Sequence, residues 1–137
     1  MPEAVNKKLF DWLTSLYSVW ARLTPEMICS SSQVALVELL QSGCTTTADH
    51  HYIFSNQLEN AIDIQVEAAK AIGCRVVLAR GSMSLGREQG GLPPSQTVQC
   101  AKTIMEDSER VIKKFHDRGS GALVQIALAP CSPFSVS

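Results

Sequence analysis

Two stretches of this sequence, Arg75-Val76-Val77-Leu78-Ala79 and Ala122-Leu123-Val124-Gln125-Ile126-Ala127-Leu128-Ala129, are apolar at nearly every position rather than at every second one. A strand reads this way when both its faces are buried, which happens chiefly in parallel sheets covered by helices. Parallel neighbours need a crossover of a dozen or more residues, usually a helix. Residues 96–116 supply it, with Val98, Ala101, Met105, Val111, Ile112 and Phe115 read as the inward stripe. Lys113, Lys114 and His116 fall in the last turn, where cations complement the helix dipole. The two runs commit this part of the chain to a right-handed β-α-β unit.

The same grammar extends upstream. Cys44-Thr45-Thr46-Thr47-Ala48-Asp49 is a short β-branched run suited to a strand. It is followed by Leu58, Ala61, Ile62, Gln65, Ala68, Ala69 and Ile72 at helical spacing, with Gly73 as a stop. Before it, Thr24-Pro25-Glu26 opens a helix with an N-cap, a proline whose missing N–H costs nothing and an acid in the first turn. That helix runs to about residue 42, and its middle, from Val34 to Leu40, predicts burial on more than one side. Leu9, Phe10, Trp12, Leu13, Leu16, Tyr17 and Trp20 mark one more short amphipathic helix. The expected order is helices, then β-α-β-α-β.

Length and charge exclude much. At 137 residues with 45% hydrophobic content the chain fits one domain or part of one. Its 12 basic and 13 acidic residues nearly cancel, and no basic run interleaved with aromatics offers a track for phosphates, so a nucleic acid polymer is not an expected partner. No apolar stretch approaches the roughly 20 residues of a membrane span, and MPEAVNKKLFDWL lacks the pattern of a signal peptide. A soluble, cytoplasmic protein is the expectation. Five cysteines without a CxxC pair argue against a disulfide framework or zinc ribbon.

In parallel α/β architectures ligands bind at the carboxyl ends of the strands. Here those ends read Asp49-His50-His51-Tyr52, Arg80-Gly81-Ser82-Met83-Ser84 and Pro130-Cys131-Ser132-Pro133. His50 and His51 are adjacent, so they point to opposite faces of a strand and are ill placed to chelate one metal together; one faces the mouth and the other packs. Arg80 reads equally well as a substrate contact or as the partner of a carboxylate. The loop over 80–94, about 15 residues long, exceeds the usual connection. Its glycines match neither GxGxxG nor GxxxxGK[ST].

The strings LFDWL (9–13), ELLQSGCTTTADHHYIF (38–54), RGSMSLG (80–86) and LAPCSPFSVS (128–137) resemble the amidohydrolase superfamily, in the branch of guanine deaminase, 8-oxoguanine deaminase and the triazine hydrolases. The resemblance implies that residues 1–137 are part of a TIM-type (β/α)8 barrel: about strands two to four with their helices, preceded by a helical insertion. It implies a hydrolase acting on C–N bonds of a purine-like heterocycle, with zinc or iron in the complete enzyme. Trp12 matches a substrate-contacting tryptophan of the insertion. Cys131 falls where relatives carry a polar substrate contact. With His51 and Arg80 these form the expected substrate-binding set.

The family takes its metal from an H-x-H motif on the first barrel strand, a histidine from the fifth and an aspartate from the eighth. This chain has only His50, His51 and His116, and no H-x-H. No catalytic residue and no metal ligand are therefore assigned within it. An inactive enzyme fragment is the first expectation, binding a small heterocycle only within the complete enzyme. A barrel-derived binding or interaction module, homo-oligomeric through its open sheet edges, is the second. A small nucleotide-binding domain is disfavoured, because no glycine-rich phosphate loop follows the first strand.

Overall fold

The computed structural model describes residues 4–55 and 57–137. Helix α1 spans Leu9–Trp20 and α2 Pro25–Gln41; strand β1 covers Thr46–His51, α3 Ala61–Ile72, β2 Arg75–Ser82, α4 Ala101–Phe115 and β3 Val124–Pro130. The strands pair in parallel in the order β1-β2-β3. All expected elements are present, with shifted borders. β1 begins two residues later than its β-branched run suggests, so it carries both histidines. β2 runs on to Ser82 because Arg80, Gly81 and Ser82 still pair with Leu128, Ala129 and Pro130. α4 starts at Ala101, since Ser95–Thr97 forms a separate short 3-10 turn.

The local signals act as their chemistry demands. The Thr24 hydroxyl accepts from the Met27 N–H at the start of α2, a contact typically worth about 1 kcal/mol. α3 ends at Gly73, whose φ of 77° is left-handed, a conformation glycine enters without a Cβ clash.

Strand pleat and register sort the side chains between two faces. Val76, Leu78 and Arg80 share one face with Thr47, Asp49 and His51 of β1 and with Val124, Ile126 and Leu128 of β3. This is the helix face. Against it pack Leu58, Ile62, Val66 and Ala69 from α3 and its lead-in, with Val111 from α4, all buried. The other face carries His50, Val77, Ala79, Gly81, Ala127 and Ala129.

Two expectations about helix faces need correction. On α4, Met105 is 67% exposed and Ala101 also faces solvent. The stripe turned inward is Ile104, Asp107, Ser108, Val111, Ile112 and Phe115. Its middle is polar because Asp107 meets Arg80; of the expected stripe Val98, Val111, Ile112 and Phe115 do pack on the core, and only Ala101 and Met105 do not. On α2 only Ile28 and Leu36 are buried, while Val34 and Val37 are exposed. His116 is engaged at the end of α4: its Nδ1 accepts the Ile126 N–H at 3.0 Å, tying the helix end to β3.

Candidate functional site

The mouth, at the carboxyl ends of the strands, is built by α1 and the loops that follow the strands. Helix spacing puts Trp12, Tyr17 and Trp20 on neighbouring turns of α1. Trp20 stands edge-on to Trp12 at 5.6 Å, to Tyr17 at 5.7 Å and to Tyr52 at 6.1 Å between ring centroids. Tyr52 in turn lies 5.1 Å from the His50 ring. Edge-to-face pairs of this kind add about 0.5–1.5 kcal/mol each beyond area burial, so the aromatic surface is held rigidly.

The loops are stitched by backbone. Cys131 N–H donates to Ser82 O at 2.9 Å, Ser84 and Leu85 N–H both reach Ser135 O, and Leu92 N–H reaches Phe134 O. The apolar edge of Phe134 then meets Phe10 of α1 at 5.1 Å. Cys131 is thereby fixed beside the phenols of Tyr17 and Tyr52. Burial, reinforced by the neighbouring Cys131 thiol, pushes the Tyr17 phenol up to about 12, and burial first and Cys131 second raise Tyr52 as well. Burial also raises the Cys131 thiol, against the opposing hydrogen bond with Ser135. All three groups therefore keep their protons at neutral pH and can act as donors.

His50 crosses the inner face of the sheet. Its Nε2 lies 3.0 Å from Ala129 O on β3, so the ring spans the middle strand, where Gly81 leaves room. A Cβ on residue 81 would stand 2.7 Å from that nitrogen and 2.5 Å from the Tyr52 Cβ. Glycine is needed here for close approach rather than for backbone freedom.

Of the four expected substrate contacts, the structure brings Trp12 and Cys131 to the mouth and does not bring His51 or Arg80 there. His51 faces the helices: Nε2 donates to Ile53 O at 2.7 Å, the ring stands edge-on to Phe54, and burial pushes its pKa down. Arg80 is 1% exposed. It donates to Asp107 Oδ2 at 3.0 Å, Gly81 O at 2.7 Å and Gln99 Oε1 at 2.7 Å, with its guanidinium 4.0 Å over the Phe54 ring. Asp107 also binds Arg110, which pairs with Asp63 together with Lys114. The physical reason for both placements is parity: residues 51 and 80 sit side by side in register, on the face that α3 and α4 cover.

Sequence reasoning names His50 and Tyr52 in the strand-end group and leaves open which histidine faces the mouth; Tyr17 and Trp20 it places only on the apolar stripe of α1. β1 is polar on both faces, so no apolar alternation fixes which histidine looks inward. A cavity of about 350 Å3 does lie beside His51, Asp49 and Gln65, but on the helix side beneath α2. Gln65 donates to Asp49 Oδ2 there, and its buried Oε1 has no partner. Among the described residues no three His, Cys, Asp or Glu side chains gather to hold a metal. The described residues do not by themselves fit one. No described helix is long and apolar enough to cross a membrane.

A three-stranded parallel sheet, helices on one face and polar groups on its strand ends, is the architecture of a β/α barrel segment. Residues 2–137 match the amidohydrolase family, and the chain belongs to it. It is 63% identical over 133 residues to the 8-oxoguanine deaminase of Pseudomonas aeruginosa, covering 97% of this chain and 30% of that protein. It is 33% identical over 123 residues to hydroxydechloroatrazine ethylaminohydrolase of Pseudomonas sp. strain ADP, covering 89% and 26%. The crystal structure of atrazine chlorohydrolase from Arthrobacter aurescens, complexed with zinc, superposes with a TM-score of 0.91 at 27% identity, over 100% of this chain and 32% of that one. The chain thus spans between about a quarter and a third of the length of the relatives it matches and forms part of a TIM-type barrel.

Proposed function

We propose that this segment is the substrate wall of a barrel hydrolase that removes an amino group from a purine-like heterocycle of the 8-oxoguanine type. The observation that carries the reading is the 63% identity to an 8-oxoguanine deaminase across nearly the whole chain. The mouth supports it: the indole of Trp12, itself packed on Trp20, offers a stacking surface for a flat ring. The Cys131 thiol, kept protonated by burial, offers a weak donor to a carbonyl oxygen. Residues 1–137 act in this reading as one part of a barrel domain, inactive alone. Zinc or iron belongs to the complete protein on residues outside this segment; the zinc complex of the related chlorohydrolase supports this.

What the segment itself contributes is binding and orientation. Rigid aromatic walls exclude water from one side of the ring, and fixed donors set its register, which is how positioning lowers a barrier without a proton changing hands. The test is ammonia release by the complete, metal-loaded protein. Release from 8-oxoguanine, slower from guanine, is the expected result; no release from either compound would refute the reading.

A further inference from the structure

His50 is held in one orientation by contacts on three strands. It leaves β1, passes over the bare Gly81 of β2 and ends on the Ala129 carbonyl of β3. A carbonyl oxygen can only accept, so Nε2 carries the hydrogen in this contact. In the neutral ring one nitrogen donates and the other accepts. The contact therefore selects the tautomer whose Nδ1 is an acceptor. No hydrogen bond among the described residues engages Nδ1, and the side chain is exposed on the inner face. Tyr52 lies against the ring on one side. Cys131 follows Ala129 by two residues, at the end of the same strand. The mouth thus carries an acceptor, Nδ1, and a protonated donor, the Cys131 thiol.

Donor plus acceptor is the complement of a lactam edge, in which a ring N–H stands next to a carbonyl. 8-Oxoguanine has such an edge at N7 and C8. Guanine has a lone pair at N7 instead and no oxygen at C8. We infer that His50 is a specificity-determining residue whose Nδ1 accepts the ring N–H of an oxo-heterocycle, so that the site selects the lactam over its deoxo counterpart. Against guanine the same nitrogen meets another lone pair and remains unpaired. A site built to satisfy a hydrogen bond rejects the analogue that cannot make it. The inference rests on the deaminase reading for its substrate class, while the geometry of His50 stands apart from it.

The experiment uses the complete protein and reads both binding and turnover. Quenching of tryptophan fluorescence, with Trp12 and Trp20 in the mouth, reports the Kd of 8-oxoguanine and of guanine in the presence of a chelator. kcat/KM follows from ammonia release by the metal-loaded protein. H50Q keeps an amide N–H near the place of Nε2, facing Ala129, and removes Nδ1; H50N places an amide oxygen near Nδ1. In H50Q the preference for 8-oxoguanine over guanine should fall by about tenfold or more, with the melting curve unchanged, and H50N should regain part of it. A preference unmoved in H50Q overturns the inference even where ammonia is released, and the deaminase reading then survives alone. A preference that moves with residue 50 in binding, without ammonia from either compound, keeps the inference and removes the deaminase reading. Binding of neither compound overturns both.

Discussion

His50 and His51 are neighbours in the chain and end in opposite kinds of surroundings. On the helix face, His51 is folded into Phe54 and the Ile53 carbonyl, beside an arginine sealed by four partners. On the inner face, His50 lies across the sheet beside the Tyr52 ring, with no hydrogen bond to Nδ1 among the described residues. The helix face is ion-paired around Arg80, with a cavity of about 350 Å3 left beneath α2. The mouth is rigid but incompletely paired. The first holds the sheet together, and the second presents groups to something else.

The sharpest way to break this division is Arg80→Met in the complete protein. It removes one of the two arginines on Asp107 and leaves Arg110 in place, so the loss should fall somewhat below the roughly 3–5 kcal/mol of a buried charge left with no partner. Urea denaturation should show that loss, with Arg80→Lys in between because a lysine lacks the planar fork. Full stability combined with lost turnover would move Arg80 to the mouth.

Trp12→Ala and Cys131→Ala probe the other side. Each should lower kcat/KM on 8-oxoguanine by about tenfold or more, near 1.4 kcal/mol. Their denaturation midpoints should move less than that. Parental kinetics in both variants would empty the mouth of its assigned role.

The third test uses pH. Burial puts the folded pKa of His51 below its ordinary 6.5, so between these values the unfolded chain binds more protons. Stability is therefore full above about pH 6.5, falls as pH drops through that window and flattens below the depressed value. Melts between pH 8 and 5 should show the slope, and His51→Phe should reduce it. An unchanged slope would mean His51 is not sealed on the helix face.

The smallest effect concerns neither face. Thr24→Ala removes the N-cap of α2 and should cost about 1 kcal/mol, read in the same melts, with the 8-oxoguanine preference untouched.

How much of this was legible depends on whether a strand has an apolar face. β2 and β3 are apolar almost throughout, so their existence and parallel pairing follow from Val76 to Ala79 and Leu123 to Ala129. Caps and stops such as Thr24 and Gly73 follow equally directly, because each satisfies a local backbone requirement. β1 gives no such handle. Thr47, Asp49 and His51 are more polar than Thr46, Ala48 and His50, yet the register with β2 turns the more polar set toward the helices. α4 misleads for a related reason. Asp107 and Ser108 occupy its buried stripe, and their justification is Arg80, 27 positions away in sequence. Trp12 is suggested by family likeness alone and Cys131 by likeness and by its place after a strand, whereas the choice of His50 over His51 is made only once Gly81 and Ala129 are placed beside it.

The Arg80 cluster has a further consequence, for how such a protein can change over generations. It grips Gly81, Phe54 and Gln99 from behind the sheet, so the strand ends stay in place whatever stands on the opposite side. On the proposed reading, substitutions at residues 12, 50, 52 or 131 would then alter which heterocycle is accepted without first loosening the scaffold. Function varies on this architecture by altering groups on a fixed frame. A lineage carrying this arrangement can explore new ring substituents one replacement at a time, while a change at Arg80 or Asp107 closes off that route.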